Sequence, residues 1–170
     1  VWGRLCGLLG EVTPQALLAQ PQTALQALGL SARKVDYMRG IARQVVDGEL
    51  DLPGMTALED AEVCRRLAAL RGIGVWTAEM LLLFSLQRPD ILSYDDLAIR
   101  RGLRMLYRHK EMPRERFERY RRRFSPYGSL ASLYLWAIAG GALPELDDPA
   151  ERKKGRSRPA ASLKSTVTKD

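Results

Sequence analysis

Apolar residues recur along most of this chain at intervals of three and four, the mark of helices that bury one stripe. Val1, Leu5, Leu8 and Leu9 form such a stripe, closed by Gly10. Thr13-Pro14 predicts a helix start with proline in its first turn. Thr23-Ala24-Leu25-Gln26 has capping-box spacing, and Gly29 closes that short helix. Ser31 is expected to cap the next helix, in which Val35, Met38, Ile41, Ala42, Val45 and Val46 keep helical spacing until Gly48. Asp51-Leu52-Pro53-Gly54 reads as a turn and Thr56-Ala57-Leu58-Glu59 as a second capping box. Val63, Cys64, Leu67 and Leu70 then share one helical face, and residues 78–84 are apolar nearly all round, as suits a buried helix. Leu97, Ile99, Leu103, Leu106 and Tyr107 supply an imperfect stripe. Pro126-Tyr127-Gly128-Ser129 breaks the chain before an apolar helix that ends at Gly140-Gly141. No stretch alternates with period two over enough residues for a sheet, so the expected fold class is all-α.

At 170 residues the chain fits one domain with a substantial core. The composition changes after Pro144, placing a helical domain at 1–146 and an expected disordered basic tail at 147–170. The net charge of +7 suggests a polyanionic partner, although ordinary solubility charge gives the same sum. Its distribution is lopsided: eleven Lys or Arg against three Glu between Arg100 and Arg123, with Arg116, Arg119, Tyr120 and Arg123 on one helical side. That side is either a solvated face or a phosphate contact. Cys6 and Cys64 lie far apart in apolar patterns, as small core residues in a reducing compartment, here an intracellular one, cytoplasm or nucleoid. Two cysteines cannot hold an iron–sulfur cluster, and no apolar run reaches the ~18 residues of a membrane span. A lone His109 reads as a surface residue, and no Cys/His set has zinc spacing.

The most informative stretch is Leu70-Arg71-Gly72-Ile73-Gly74-Val75-Trp76-Thr77-Ala78, followed by Tyr94-Asp95-Asp96-Leu97. Two glycines between helical patterns predict helix, tight hairpin, helix, spanning about residues 61–87. Backbone N–H groups left uncovered at the start of the second helix suit a phosphate oxygen. Gly-x-Gly alone is equally a plain turn. Combined with an acidic pair some twenty residues on, it resembles the helix-hairpin-helix (HhH-GPD) DNA glycosylase superfamily, and within it the 3-methyladenine DNA glycosylase II branch, over roughly Val1 to Gly141.

The resemblance implies a monofunctional enzyme that hydrolyses the N-glycosidic bond of alkylated purines in base excision repair. Its partner would be double-stranded DNA carrying such bases, bound by a monomer away from membranes. It implies Asp96 as the catalytic carboxylate and Asp95 as a structural neighbour. Chemically, a carboxylate near the anomeric carbon stabilises an oxocarbenium-like charge and orients water. The competing role for both aspartates is N-capping of the helix from Leu97. Relatives that also nick the strand carry Lys two residues after the second glycine; here Trp76 stands there and cannot form an imine, so no lyase activity is expected. By the same resemblance Trp76, Met80 and Trp136 line the base pocket, with core packing an equal reading for Met80 and Trp136. Gly72, Ile73, Gly74, Val75 and Thr77 would meet the DNA backbone. No organic cofactor is implied, only a monovalent cation on the carbonyls of Leu70 and Ile73. The family's wedge loop, with a Gln-x-x-Ser pattern, lies upstream of these residues, so the chain reads as N-terminally truncated relative to the family. Two other functions stay open: a non-catalytic helix-hairpin-helix DNA-binding module, and a glycosylase for another damaged base.

Overall fold

The computed structural model describes residues 1–151. Among these the chain is wholly helical: α1 (Trp2–Leu9), α2 (Pro14–Ala19), α3 (Gln22–Ala27), α4 (Ala32–Val46), α5 (Asp60–Ala68), α6 (Val75–Phe84), α7 (Leu97–Tyr107), α8 (Arg114–Phe124) and α9 (Gly128–Ala139). A 3-10 turn, Pro53–Ala57, joins α4 to α5. Thr13 and Ser31 cap as their positions predict, accepting the backbone N–H of Ala16 and Lys34. The two capping boxes do not form. Pro21, at φ −63°, takes the cap position and starts α3 early, leaving Thr23 inside the helix. The Thr56 hydroxyl is spent within the 3-10 turn, donating to the Pro53 carbonyl at 2.8 Å.

Three apolar clusters form the core. Leu5, Leu17, Leu25, Val35 and Ala42 join α1 to α4. Met55, Val63, Leu67, Ala78 and Leu82 join α5, α6 and the approach to them. Leu92, Ile99, Leu103, Phe117 and Leu135 join α7, α8 and α9. Trp136 packs against both of the last two, so its indole is the wedge between the hairpin unit and the C-terminal helices. α7 and α9 pack backbone to backbone at Gly102, where a Cβ would run into the Leu135 carbonyl. α6 is less enclosed than its apolar sequence predicts: Val75, Trp76 and Phe84 are exposed.

The domain does not stop at residue 146. Asp148 is buried, receives the Arg104 guanidinium on both carboxylate oxygens (3.0 and 2.5 Å), and accepts the Ala150 N–H. A buried carboxylate needs such partners, and residues 147–151 supply the turn that docks it on α7. The rest of the expected basic tail, 152–170, lies outside the described residues. No helix among the described residues is long and apolar enough to cross a membrane.

Candidate active site

The hairpin between α5 and α6 depends on Gly72. Its φ of +93° is costly for any residue with a Cβ, and that Cβ would also penetrate the ring of Tyr37 on α4. Arg71 covers the same ring, its guanidinium 5.4 Å from the centroid. The Ile73 N–H closes the turn on the Leu70 carbonyl at 3.0 Å. Gly74 differs: its φ is −91°, and a Cβ there would meet nothing within 4 Å. The protein's own packing therefore does not require glycine at 74. Gly74 is the N-cap of α6 and offers no side-chain acceptor, so the first-turn N–H groups face outward uncapped. Gly72, Gly74 and Val75 are exposed; Ile73 and Thr77 are half-buried, Ile73 with its side chain in the core.

The segment from Arg88 to Asp96 returns along α6, held from α9. The Ser129 hydroxyl accepts the Ile91 N–H, and the Ser132 hydroxyl donates to the Ile91 carbonyl. Asp90 accepts the Ser125 hydroxyl and the Gly128 N–H. Two side-chain hydrogen bonds one helical turn apart then tie the segment to α6. Ser93, fully buried, donates its hydroxyl to Glu79. Three residues further along the segment and one turn back on the helix, Trp76 Nε1–H donates to Asp96 Oδ2 at 2.9 Å.

Asp96 is 7% exposed. Its other oxygen, Oδ1, accepts the Ile99 N–H at 2.8 Å and so caps α7. Within the acidic pair it is Asp96 that caps the helix, while Asp95 is exposed and makes no hydrogen bond among the described residues. The reason is register. With Leu97 as first helical residue, only position 96 can reach the N–H of Ile99. Capping, however, uses one oxygen alone. The bond from the indole on the second oxygen fixes the carboxylate's rotation and ties it to the hairpin helix. Two hydrogen bonds also leave acceptor capacity on a group with about four lone-pair directions.

Positive charge surrounds this turn. The guanidiniums of Arg100 and Arg114 each lie 5.0 Å from the centroid of the Tyr94 ring, whose edge meets Phe117 at 5.2 Å. Glu79 carries a carboxyl raised above its ordinary pKa, chiefly by burial and further by Asp95; the Ser93 bond and the charges of Arg121 and Arg114 oppose the shift. Glu79 is the site residue that motif reasoning misses. The signal was present in the sequence: one carboxylate inside the otherwise apolar run 78–84.

The aromatic candidates part company. Trp76 is 47% exposed, with its edge on Asp96, and Met80, half-buried, follows one turn later on the same face. Trp136 instead stacks on Phe84, ring centroids 5.7 Å apart and planes 10° from parallel. Phe84 lies eight residues beyond Trp76, about 12 Å along the helix axis. Trp136 is partly buried against two core clusters, with the exposed Phe84 as its ring partner. Two open clefts of about 350 and 330 Å³ are lined by other residues, on α7, α8 and α9. Asp96 and Trp76 sit on the face outside them. Among the described residues no group of three or more His, Cys, Asp or Glu could hold a metal ion.

Residues 1–126 match the HhH-GPD superfamily of base excision DNA repair proteins. DNA-3-methyladenine glycosylase 1 of Schizosaccharomyces pombe is 34% identical over 144 residues, 84% of this chain and 62% of that protein. Among solved structures, a DNA-3-methyladenine glycosidase from Bacillus halodurans superposes with a TM-score of 0.75 at 37% identity, covering 85% of this chain and 68% of that one. The 3-methyladenine DNA glycosylase of Schizosaccharomyces pombe, in complex with abasic DNA, gives 0.66 at 35% identity, with coverages of 74% and 62%. The chain thus spans roughly two thirds of the length of these relatives.

Proposed function

Because the chain belongs to the HhH-GPD superfamily of base excision DNA repair proteins, we propose that it is a monofunctional DNA glycosylase acting as a monomer on alkylated purines, 3-methyladenine among them, in double-stranded DNA. One observation carries this beyond family membership. The buried Asp96 carboxylate is oriented by the indole N–H of Trp76, on the helix that follows the glycine hairpin.

The hairpin backbone, with the uncapped N–H groups of α6, seats a phosphate and brings the strand beside the carboxylate. The damaged nucleotide leaves the stack, at a cost of a few kcal/mol. The exposed face of Trp76, with Met80 one turn on, receives the base. A ring face favours a base made cationic by methylation by about 0.5–2 kcal/mol. As the bond from C1′ to the base nitrogen breaks, its electron pair leaves with the base, and the Asp96 charge stabilises the oxocarbenium-like sugar. A water oriented by the same carboxylate adds to C1′ and gives its proton to Asp96, leaving a hydroxyl on the abasic sugar. Trp76 offers no amine, so the sugar is not captured as an imine and the abasic strand stays intact.

The carbonyls of Leu70 and Ile73 fit a monovalent cation by donor chemistry. Both are neutral oxygens, and the Leu70 carbonyl keeps a lone pair beyond the bond from Ile73. Such an ion would stiffen the hairpin and add positive charge towards the phosphate.

The capping bond from Ile99 favours one other reading, a helix-hairpin-helix module that binds DNA without cutting the glycosidic bond. Incubation with methylated duplex separates the two. The proposal expects free 3-methyladenine in solution and strand breaks only after alkali. Methylated bases fully retained on bound DNA would leave the binding module, and release of oxidised purines alone would mark a different glycosylase.

A further inference from the structure

The outer face of α8 carries a site that the chemistry above does not use. His109, Arg116, Arg119, Tyr120 and Arg123 line an open cleft of about 350 Å³. Its floor is built. The His109 ring nitrogen lies 2.7 Å from the Tyr120 hydroxyl, and Tyr120 stacks on Tyr107 of α7 with centroids 4.2 Å apart. Arg116 is held in place by donating to the Glu111 carbonyl at 2.9 Å. No carboxylate lines the cleft, and among the described residues none of its three arginines forms an ion pair.

This face is not the one that serves Asp96. At 3.6 residues per turn, Arg116, Arg119 and Arg123 lie on nearly the opposite side of α8 from Arg114, which covers Tyr94, and Arg121, whose charge reaches Glu79. The three arginines form a row rather than a convergent nest, about 10 Å from first to last along the helix axis. A single free phosphate is gripped by converging donors. A row of that length matches a strand with one phosphate per ~3.4 Å of duplex axis.

We propose that this cleft is a second DNA-binding site, taking the phosphate backbone of a duplex segment other than the one held at the hairpin. The inference rests on the chain's working on DNA, but not on its releasing a base. Contacts of this kind are independent of sequence, and they would let the protein hold one segment while testing another. His109 is the natural reporter. Burial pushes its imidazole below its ordinary pKa, and the charges of Arg116 and Arg119 push the same way; Tyr120, Tyr107 and, across the same cleft, Arg123 also surround it. Phosphates seated on the arginines would relieve that field, so His109 should titrate higher in the complex. It is the only histidine in the chain, which makes its resonance unambiguous.

The test uses the whole chain and an undamaged duplex of about one helical turn (~10 bp). Titration calorimetry should count two duplexes per chain. In R119E/R123E, and in the milder R119Q/R123Q with unchanged helical circular dichroism, the count should fall to one. The salt dependence, log K against log salt, should flatten by about two from the loss of two phosphate contacts. One duplex per wild-type chain, or two in both variants, overturns the proposal. Inorganic phosphate that moves the His109 resonance as far as duplex does, at equal phosphate concentration, marks a small-anion site and overturns the DNA assignment. The count reads binding alone, so absence of glycosylase activity would leave it standing.

Discussion

Replacing Trp76 with phenylalanine removes one N–H and keeps an aromatic face for the base. The lost bond is the 2.9 Å contact from Nε1 to Asp96 Oδ2, on a carboxylate that is 7% exposed. A hydrogen bond to a charged group contributes about 1.5–3 kcal/mol net, and here it also fixes the rotation of the carboxylate around its capping bond to Ile99. If that orientation is realised in the transition state, losing it costs roughly 10- to 100-fold in rate, at about 1.4 kcal/mol per tenfold. Because the ring face survives, KM should move little and kcat should carry the loss. The assay is single-turnover release of 3-methyladenine from methylated duplex under saturating enzyme, with thermal melting as the control for folding. Trp76→Phe releasing base at the wild-type rate while remaining folded would refute the positioning role of the indole.

The two hairpin glycines should respond oppositely. Gly72→Ala must hold a Cβ at φ +93° against Tyr37 and should lose at least ~1–3 kcal/mol in chemical denaturation. Gly74→Ala should shift stability by less than about 1 kcal/mol, yet weaken duplex binding several-fold, because its methyl group points into space a phosphate would fill. Glu79 has a raised folded pKa, so its contribution to stability is fully present below the unfolded value and is lost as pH rises through the folded one. Glu79→Gln keeps an acceptor for Ser93 and should flatten that fall while preserving base release. Glu79→Leu should lower kcat by freeing the Ser93–Asp96 turn, and an unchanged kcat would remove its role in holding that turn. Asp148 shifts the other way, held below its ordinary value first by the Arg104 hydrogen bonds. The stability it contributes is present above its unfolded pKa and is lost as pH falls through the lower folded one. Asp148→Asn should cost roughly 2–3 kcal/mol at neutral pH, less than the ~3–5 of a wholly buried pair because Arg104 keeps contact with water. A melting curve that is the same at pH 7 with and without Asp148 would contradict the docking of residues 147–151.

Helical periodicity made the architecture legible, because burial of one stripe leaves its spacing in the sequence whatever the helices pack against. Hence α4, α5 and α9 fall close to where their apolar positions put them. Caps were less legible: a Thr and a Glu or Gln at the right spacing compete with prolines that fix the backbone nearby, and Pro21 and Pro53 won. The acidic pair showed where chemistry could sit, but not which member bears the cap, since that turns on a single residue of register at Leu97. Trp136 shows the other limit. An indole at a helical position suits a base pocket or a core wedge equally, and its stack on Phe84 crosses 52 residues that no local pattern spans. The Trp76–Asp96 and Glu79–Ser93 bonds cross 20 and 14 residues of sequence, so no local pattern could announce them.

The claim that Asp96 acts on the sugar, rather than only capping α7, is tested most directly by Asp96→Asn. An asparagine keeps one acceptor for the Ile99 N–H but puts neutral charge, and an N–H₂ facing the indole, where the carboxylate was. Measured by single-turnover release of 3-methyladenine from methylated duplex, with binding to an abasic duplex followed in parallel, the rate should fall ~100-fold or more while DNA binding is retained. Release at the wild-type rate by a folded, DNA-binding Asp96→Asn protein would contradict the account, and would leave Asp96 a helix cap and nothing more.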